Sequence, residues 1–319
     1  MKSRFIAAFA LLAVTGCATQ PPVDEIRLVA RAFDNLNTAS QPLLDELALA
    51  ERLQGQSAAL ARADAHSKAP SNTLPTSPGS EPCPYIQILG GRMEGVPAVQ
   101  DGFCREDSYY YSELADPPGT RAFRQALAAV GGYTQLLVVL AEGRNLDEAS
   151  RQLAAITGNL GLALSAAGVS GAGPTLNLLL EAFNPLLDLA AKGANAKELQ
   201  RLVVQESLHV ERLVKEMGNQ AGEFFTTLTE ASMARFNLAL DKPDVEAAEA
   251  ARIEAYRVAV SNYVVLLDQY GSLLSELVRI YDQSGGALTL ASLAERSAQL
   301  SAQADAWRRS LAALRAGLR

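Results

Sequence analysis

A heptad pattern of apolar residues runs through the second half of the chain. Steps of four and three residues across Val203–Leu238 meet apolar residues at nine of eleven positions, with Ser207 and Arg235 as the exceptions. After residues 241–244 the pattern resumes, and every step across Ile253–Tyr281 meets an apolar or aromatic residue. A 3.5-residue repeat of this length keeps one seam against a partner helix. The pattern therefore predicts two long helices, joined by a short turn and packed as antiparallel neighbours.

The same alternation recurs near both ends of the chain, across Ile26–Ala50 and Leu290–Leu314. We expect a break in the first of these helices at Pro42, because proline lacks the backbone donor and its ring clashes with the preceding turn. Aromatic residues make up only 6% of the chain, which suits packing by alanine and leucine. These patterns predict an all-α fold: an elongated antiparallel helical bundle or coiled coil.

The N-terminus has the features of a signal peptide. Lys2 and Arg4 precede an apolar run, Phe5–Val14, that is too short to span a bilayer, and Val14-Thr15-Gly16-Cys17 follows. This arrangement closely resembles the signal peptide and lipobox of bacterial lipoproteins. The resemblance covers residues 1–17 and implies that cleavage removes residues 1–16. It also implies that Cys17 then carries lipid on its sulfur and its amine, as a stable membrane anchor.

The resemblance also implies a location. Ala18 stands where an aspartate would resemble the inner-membrane retention signal, so we expect the periplasmic face of the outer membrane. The formal net charge is −7, and the chain has no basic cluster. Nucleic acid and anionic lipid headgroups are therefore poor partners.

The segment after the first helix differs in composition from the rest. We assign 17–65 to the anchor, tether and first bundle helix, and the Pro/Ser-rich residues 66–82 to a linker. Residues 83–118 form a small insert that contains Cys83 and Cys104. In an oxidising compartment this pair predicts a disulfide, which would close a loop of about 22 residues worth roughly 3 kcal/mol. A metal site is the alternative, but two cysteines without a nearby histidine fall short of four ligands.

Residues 119–193 are unusually apolar, and Gln152–Leu180 contains no charged side chain. We predict an apolar helical head with helices near 120–142, 146–168 and 174–192, followed by the long heptad helices over 194–319. The alternative is that 153–190 inserts into a membrane, in outline similar to helical pore-forming proteins. Leu153–Val169 would span about 25 Å as a helix, at the lower limit for crossing a bilayer. Polar residues within the head favour the interpretation as core.

Motifs that could support catalysis or metal binding are incomplete. Glu206 and His209 form a Glu-x-x-His, but a carboxylate-bridged metal site needs a second such motif. The sequence around Ser170 partly matches a nucleophile elbow, yet the required strand is missing from the pattern. The glycines of 158–173 lack the lysine of a phosphate-binding loop. We expect no catalytic residue, no metal and no cofactor, and an envelope enzyme is the weaker hypothesis.

Two groups of tyrosines are candidates for contacts. Tyr109, Tyr110 and Tyr111 cannot all point inward on one helix, so they are either partner-contact residues or packing residues of the insert. The tyrosines at 256, 263 and 270 lie one per heptad on a single stripe. We expect them to fill the seam, with hydroxyls reaching solvent or a carboxylate. The alternative is that they form an exposed stripe that binds a partner helix.

The sequence therefore predicts a lipid-anchored scaffold or adaptor that docks a protein partner of the cell envelope. A membrane-perturbing protein that uses 153–190 is the alternative. The heptads leave self-association open, because a seam covered within one chain has the same pattern as a seam covered by another chain.

Overall fold

The computed structural model describes residues 23–68, 107–142, 196–237, 243–283 and 287–317, together with short helical pieces within 147–159. The helices are α1 (Val23–Lys68), α2 (Ser108–Tyr111), α3 (Pro118–Ala141), α4 (Ala196–Asn219), α5 (Ala221–Asn237), α6 (Pro243–Gln283) and α7 (Ala287–Gly317). No strand occurs among these residues. The prediction of an all-α fold is confirmed.

Helix α1 continues through Pro42, where the sequence predicted a break. The side chains of the two residues before the proline donate hydrogen bonds to backbone carbonyls of the preceding turn. The Ser40 hydroxyl donates to the Leu36 carbonyl at 2.8 Å, and the Gln41 amide donates to the Asn37 carbonyl at 3.0 Å. The helical segments before and after Pro42 both pack against neighbouring helices. This packing outweighs the loss of the one backbone hydrogen bond that proline cannot donate, so the helix remains continuous over 46 residues.

The first central helix of the prediction is divided into α4 and α5 at Gln220. Glycines at 218 and 222 flank this position, and glycine lowers the resistance of a helix to bending. Backbone bonding nevertheless continues, because the amide of Gln220 donates to Glu216 and the amide of Phe224 donates to Gln220. The apolar seam is therefore carried through the bend.

Helices α4 and α5 run antiparallel to α6. Arg235 pairs with Glu249 at 3.3 Å, and Phe224 stacks on Tyr263 with ring centroids 5.8 Å apart. Residue numbers rise along one helix as they fall along the other, as expected after the short connection that ends at Pro243. Proline is favoured at this first helical position, where its missing donor is not needed.

Helices α1 and α7 also run antiparallel to α6. The Phe33 and Tyr270 rings lie 4.9 Å apart, while the Tyr256 hydroxyl donates to Glu46 at 3.0 Å. On the other side, Glu276 of α6 pairs with Arg296 of α7 at 3.0 Å. Helix α1 also packs along α7 and α3, and α3 reaches α4.

The heptad positions form the core. All the seam positions between Ser207 and Ala231 are buried, and buried side chains of α1, α3, α4, α5, α6 and α7 join in one cluster. In α6 the buried stripe is wider than a two-helix seam, because Ala259, Leu266 and Leu273 are buried beside the predicted positions. A wide stripe is typical of a helix that packs on several neighbours.

The tyrosine stripe of α6 is buried within the chain, as predicted, but of the three hydroxyls only that of Tyr256 reaches a carboxylate of the described chain, because Tyr263 and Tyr270 are fully covered by neighbouring helices. Tyr256, Tyr263 and Tyr270 are buried. Tyr256 bonds to a carboxylate, and the Tyr270 hydroxyl lies 2.6 Å from the hydroxyl of Thr134 on α3. Burial raises the pKa of Tyr256 to about 12 and raises the pKa of Tyr263 and Tyr270 above their usual range.

The start of α3 is fixed by a side chain of α1. Pro117 provides no side-chain cap. Instead, the Glu51 carboxylate accepts from the backbone amides of Gly119 and Thr120, both at 2.8 Å, and from the Thr120 hydroxyl at 2.9 Å. The negative charge of this acidic side chain also interacts favourably with the positive end of the helix dipole. The helix predicted near 120–142 is confirmed as α3.

Candidate functional site

The short helix α2 lies on α1 at a glycine. A Cβ atom on Gly55 would lie 2.2 Å from the ring of Tyr110, so the ring occupies the space that any other residue would fill. The Gln56 amide donates to the Tyr110 carbonyl at 2.9 Å, and the Arg52 guanidinium donates to the Ala115 carbonyl at 3.0 Å. These contacts hold residues 110–115 against the second half of α1.

Exposed apolar side chains occur on the second half of α1 and on residues 111–114. Leu49, Leu53 and Leu60 are exposed and lie within about 40° of one another around the α1 axis. Tyr111 is 48% exposed and Leu114 is 99% exposed on the segment that crosses the same helix. We call these five side chains the apolar patch. Single exposed leucines are ordinary, but three exposed leucines on one helix face are of the kind found at interaction sites.

A cleft lies beside α2, between α1, α3 and the junction of α4 and α5 at Gln220. Its volume is about 340 Å³, at the lower end of the range for ligand pockets. Its apolar walls come mainly from α1, α3, α4 and α5, and include Leu47, Phe123, Ala126, Leu213, Met217 and Phe224. Tyr110 lines the cleft as well, so α2 contributes to the cleft with one face and to the patch with another.

Carboxylates are the charged side chains among the residues that line the cleft. Glu51 caps α3. Glu216 accepts from the side-chain amides of Asn219 at 3.2 Å and Gln220 at 3.3 Å, and Glu223 is exposed. No lysine, arginine or histidine of the described chain is among the lining residues. The cleft therefore combines apolar walls with a negative rim.

A row of aromatic rings leads from the cleft into the core. Phe123 and Phe224 meet edge to face at 4.2 Å, and Phe224 stacks on Tyr263 at 5.8 Å. Tyr263 in turn lies 6.1 Å from Trp307 of α7. In the described chain, neither the Tyr263 hydroxyl nor the Trp307 indole nitrogen has a hydrogen-bond partner. The row therefore joins the cleft to the centre of the core by apolar contact.

The candidate residues of the sequence fall into two groups. Cys17, Cys83 and Cys104 lie outside the described residues, as do residues 69–82 of the predicted linker and most of the insert and of 153–190. Residues 66–68, which were assigned to the linker, continue α1 to Lys68, because the first proline of that segment, Pro70, comes only after them. The tyrosines 109–111 form α2. Tyr109 and Tyr111 are exposed, with Arg121 stacked 4.5 Å above the Tyr109 ring, whereas Tyr110 packs on α1. Their role as partner contacts stays a prediction.

Two other candidate features can be placed in part. The described residues contain no group of three His, Cys, Asp or Glu side chains that could hold a metal ion. Among the described helices, α3 alone is long and apolar enough to cross a membrane by length and composition, and half of its most apolar window is buried. Of the segment 153–190, Ile156 is buried and lies against Gly132 of α3.

The leucines of the patch and the glutamates of the cleft were not predicted from the sequence. Leu49, Leu53 and Leu60 lie off the heptad seam of α1, and this offset is the signal that could have identified them. No sequence pattern near Glu51 indicates that it caps α3, because the residues it bonds to are 68 and 69 positions away in the chain.

Comparison of the chain with known protein families, with curated proteins and with solved structures gave no match. The class of the protein is therefore defined by its described part alone, which is all-α.

Proposed function

We propose that the protein is a lipid-anchored scaffold or adaptor of the bacterial cell envelope that docks a protein partner. The observation that carries this proposal is the apolar patch. Its position on a helix end, away from the seam that stabilises the fold, leaves it available for a partner without unfolding the core. Exposed tyrosine and leucine beside a folded core are typical of docking surfaces.

The body of this adaptor is an elongated antiparallel bundle in which coiled-coil-like seams join α1, α4, α5, α6 and α7. The antiparallel contacts and the burial of the heptad positions support this arrangement. A disulfide between Cys83 and Cys104 would close the insert that precedes α2 and limit its freedom next to the patch. The role is not enzymatic, since the candidate catalytic motifs of the sequence are incomplete.

The anchor is tested separately from the docking surface. Metabolic labelling with palmitate should label the wild-type protein and leave the Cys17→Ser variant unlabelled. Fractionation should place the labelled protein in the outer membrane. Equal labelling of both proteins would contradict lipidation at Cys17, and recovery in the inner membrane would contradict the proposed location.

Docking is tested by site-specific photo-crosslinking in cells that produce the protein naturally. A crosslinking amino acid at position 53 or 114 should give a discrete adduct with another protein. Position 265 is the control, because Val265 is also exposed but lies on α6, outside the patch. An adduct the size of two copies would identify self-association. The absence of an adduct at both patch positions would contradict the proposal.

The alternative function is insertion of 153–190 into a membrane. The observation that favours it is the apolar character of the neighbouring helix α3, although the burial of half of that helix is what a core helix also shows. Dye release from liposomes by the Cys17→Ser protein would support insertion, and Leu162→Lys should then abolish release while the protein stays folded. If Leu162→Lys unfolds the protein, the segment is core, because an unpaired buried charge is costly.

A further inference from the structure

The cleft beside α2 has the features of a binding site for a small molecule. Its lining combines apolar and aromatic side chains with glutamate, glutamine and threonine side chains, so the cleft offers both apolar contact and polar groups. This cleft is separate from the apolar patch. Leu49, Leu53 and Leu60 lie on the outward face of α1, and none of the five patch residues lines the cleft.

The charge of the cleft indicates the ligand class. Glu51, Glu216 and Glu223 supply negative charge, and the lining residues of the described chain include no cation. The two basic side chains that flank Phe123 in sequence are engaged elsewhere. Arg121 stacks on Tyr109, and Arg124 pairs with Asp45 at 2.6 Å and with Asp116 at 2.9 Å.

Amide hydrogen bonds do not remove the charge of Glu216. The asparagine and the glutamine that contact it are neutral donors, and Glu223 is an exposed lining residue. Partly buried carboxylates attract an opposite charge more strongly than fully solvated ones, because the local dielectric is lower. Phe123, Phe224 and Tyr110 also line the cleft, and an aromatic ring adds attraction for a cation that reaches its face.

We infer that this cleft binds a small organic cation, with its ammonium group at Glu216 and Glu223 and its apolar body against Phe123, Phe224 and Met217. The volume suits a compact molecule rather than a helix of a partner protein. Glu51 shapes the cleft by holding the start of α3 and is left unchanged in the tests below.

The test compares three probes that share one apolar body and differ in charge: 4-phenylbutylamine, 4-phenylbutanol and 4-phenylbutyrate. Isothermal titration calorimetry with the full mature chain carrying Cys17→Ser measures each affinity. The amine should bind about tenfold more tightly than the alcohol, and the carboxylate should bind most weakly. Equal binding of amine and alcohol would overturn the inference, and so would the absence of binding by all three.

Variants locate the binding. The double variant Glu216→Gln/Glu223→Gln should reduce the affinity for the amine to that for the alcohol, while binding of the alcohol stays unchanged. Glu295→Gln is the matched control, because Glu295 is an exposed glutamate on α7, away from the cleft. Circular dichroism confirms that both variants are folded. An undiminished preference for the amine in the double variant would place the binding elsewhere and overturn the inference.

Discussion

The two halves of α1 have different roles, although they belong to one continuous helix. Over 26–47 the inward face is buried, and the outward face carries charged residues such as Arg31 and Asp34. Over 49–60 the outward face carries leucines instead, and Gly55 lets the Tyr110 ring approach the helix. The first half stabilises the fold, and the second half presents surface. A continuous helix can therefore join the core to the proposed docking surface without a linker.

The sharpest test of this difference is a pair of identical substitutions in the two halves. Leu36→Ala removes a side chain that is 0% exposed and should lower the free energy of unfolding by about 2–5 kcal/mol. Leu53→Ala removes a side chain that is 42% exposed and should change it by less than about 0.5 kcal/mol. Urea unfolding followed by circular dichroism measures both, and similar losses would contradict the division.

Glu51 belongs to the second half but supports the fold through α3. Glu51→Ala removes the acceptor of three hydrogen bonds at the start of α3 and should cost about 1–2 kcal/mol. Glu113→Ala is the control, since Glu113 is exposed and should change stability by less than about 0.5 kcal/mol. Equal effects of the two variants would show that the cap does not stabilise α3.

The hydrogen bond between Tyr256 and Glu46 lies at the junction of the two halves. Tyr256→Phe should cost about 0.5–1.5 kcal/mol at neutral pH, because one buried hydrogen bond is lost. The pKa of Tyr256 is raised from 10.0 to about 12, so its contribution to stability is complete below pH 10.

The same contribution is lost as the pH rises from 10 to about 12, because the unfolded tyrosine releases its proton first. Urea unfolding at several pH values should therefore show a smaller alkaline loss of stability in Tyr256→Phe than in the wild type. Tyr263 and Tyr270 are unchanged in both proteins and contribute equally. Identical alkaline losses would contradict the assignment to Tyr256.

The smallest effect on global stability is expected at Gly55. Gly55→Ala would displace the Tyr110 ring, so α2 should detach and limited proteolysis near 108–114 should become faster. The free energy of unfolding should change by less than about 1 kcal/mol, because alanine favours the helix while the contact with α2 is lost. Gly222→Ala is the control, since its added Cβ meets open space and α2 should stay protected.

The heptad register predicted the core residues well, because the seam depends only on spacing along each helix. Val210, Phe224, Leu267 and Leu274 are buried as expected. The interruption at Gln220 and the continuity through Pro42 were not predicted, since both depend on how neighbouring helices cover the local defect. The cleft was not predicted either. It exists because Glu51, Tyr110 and Phe123, which lie on three different helices, come together in the fold. No local sequence pattern predicts that these residues are close.

The aromatic row gives the protein an internal optical reporter. The chain has one tryptophan, and its buried indole lies 6.1 Å from the ring of Tyr263, which stacks on a phenylalanine of the cleft wall. Energy absorbed by Tyr263 will pass efficiently to Trp307 at this separation. The contribution of Tyr263 to tyrosine-excited emission from the indole thus follows the packing of α6 on α7, without any label attached to the protein.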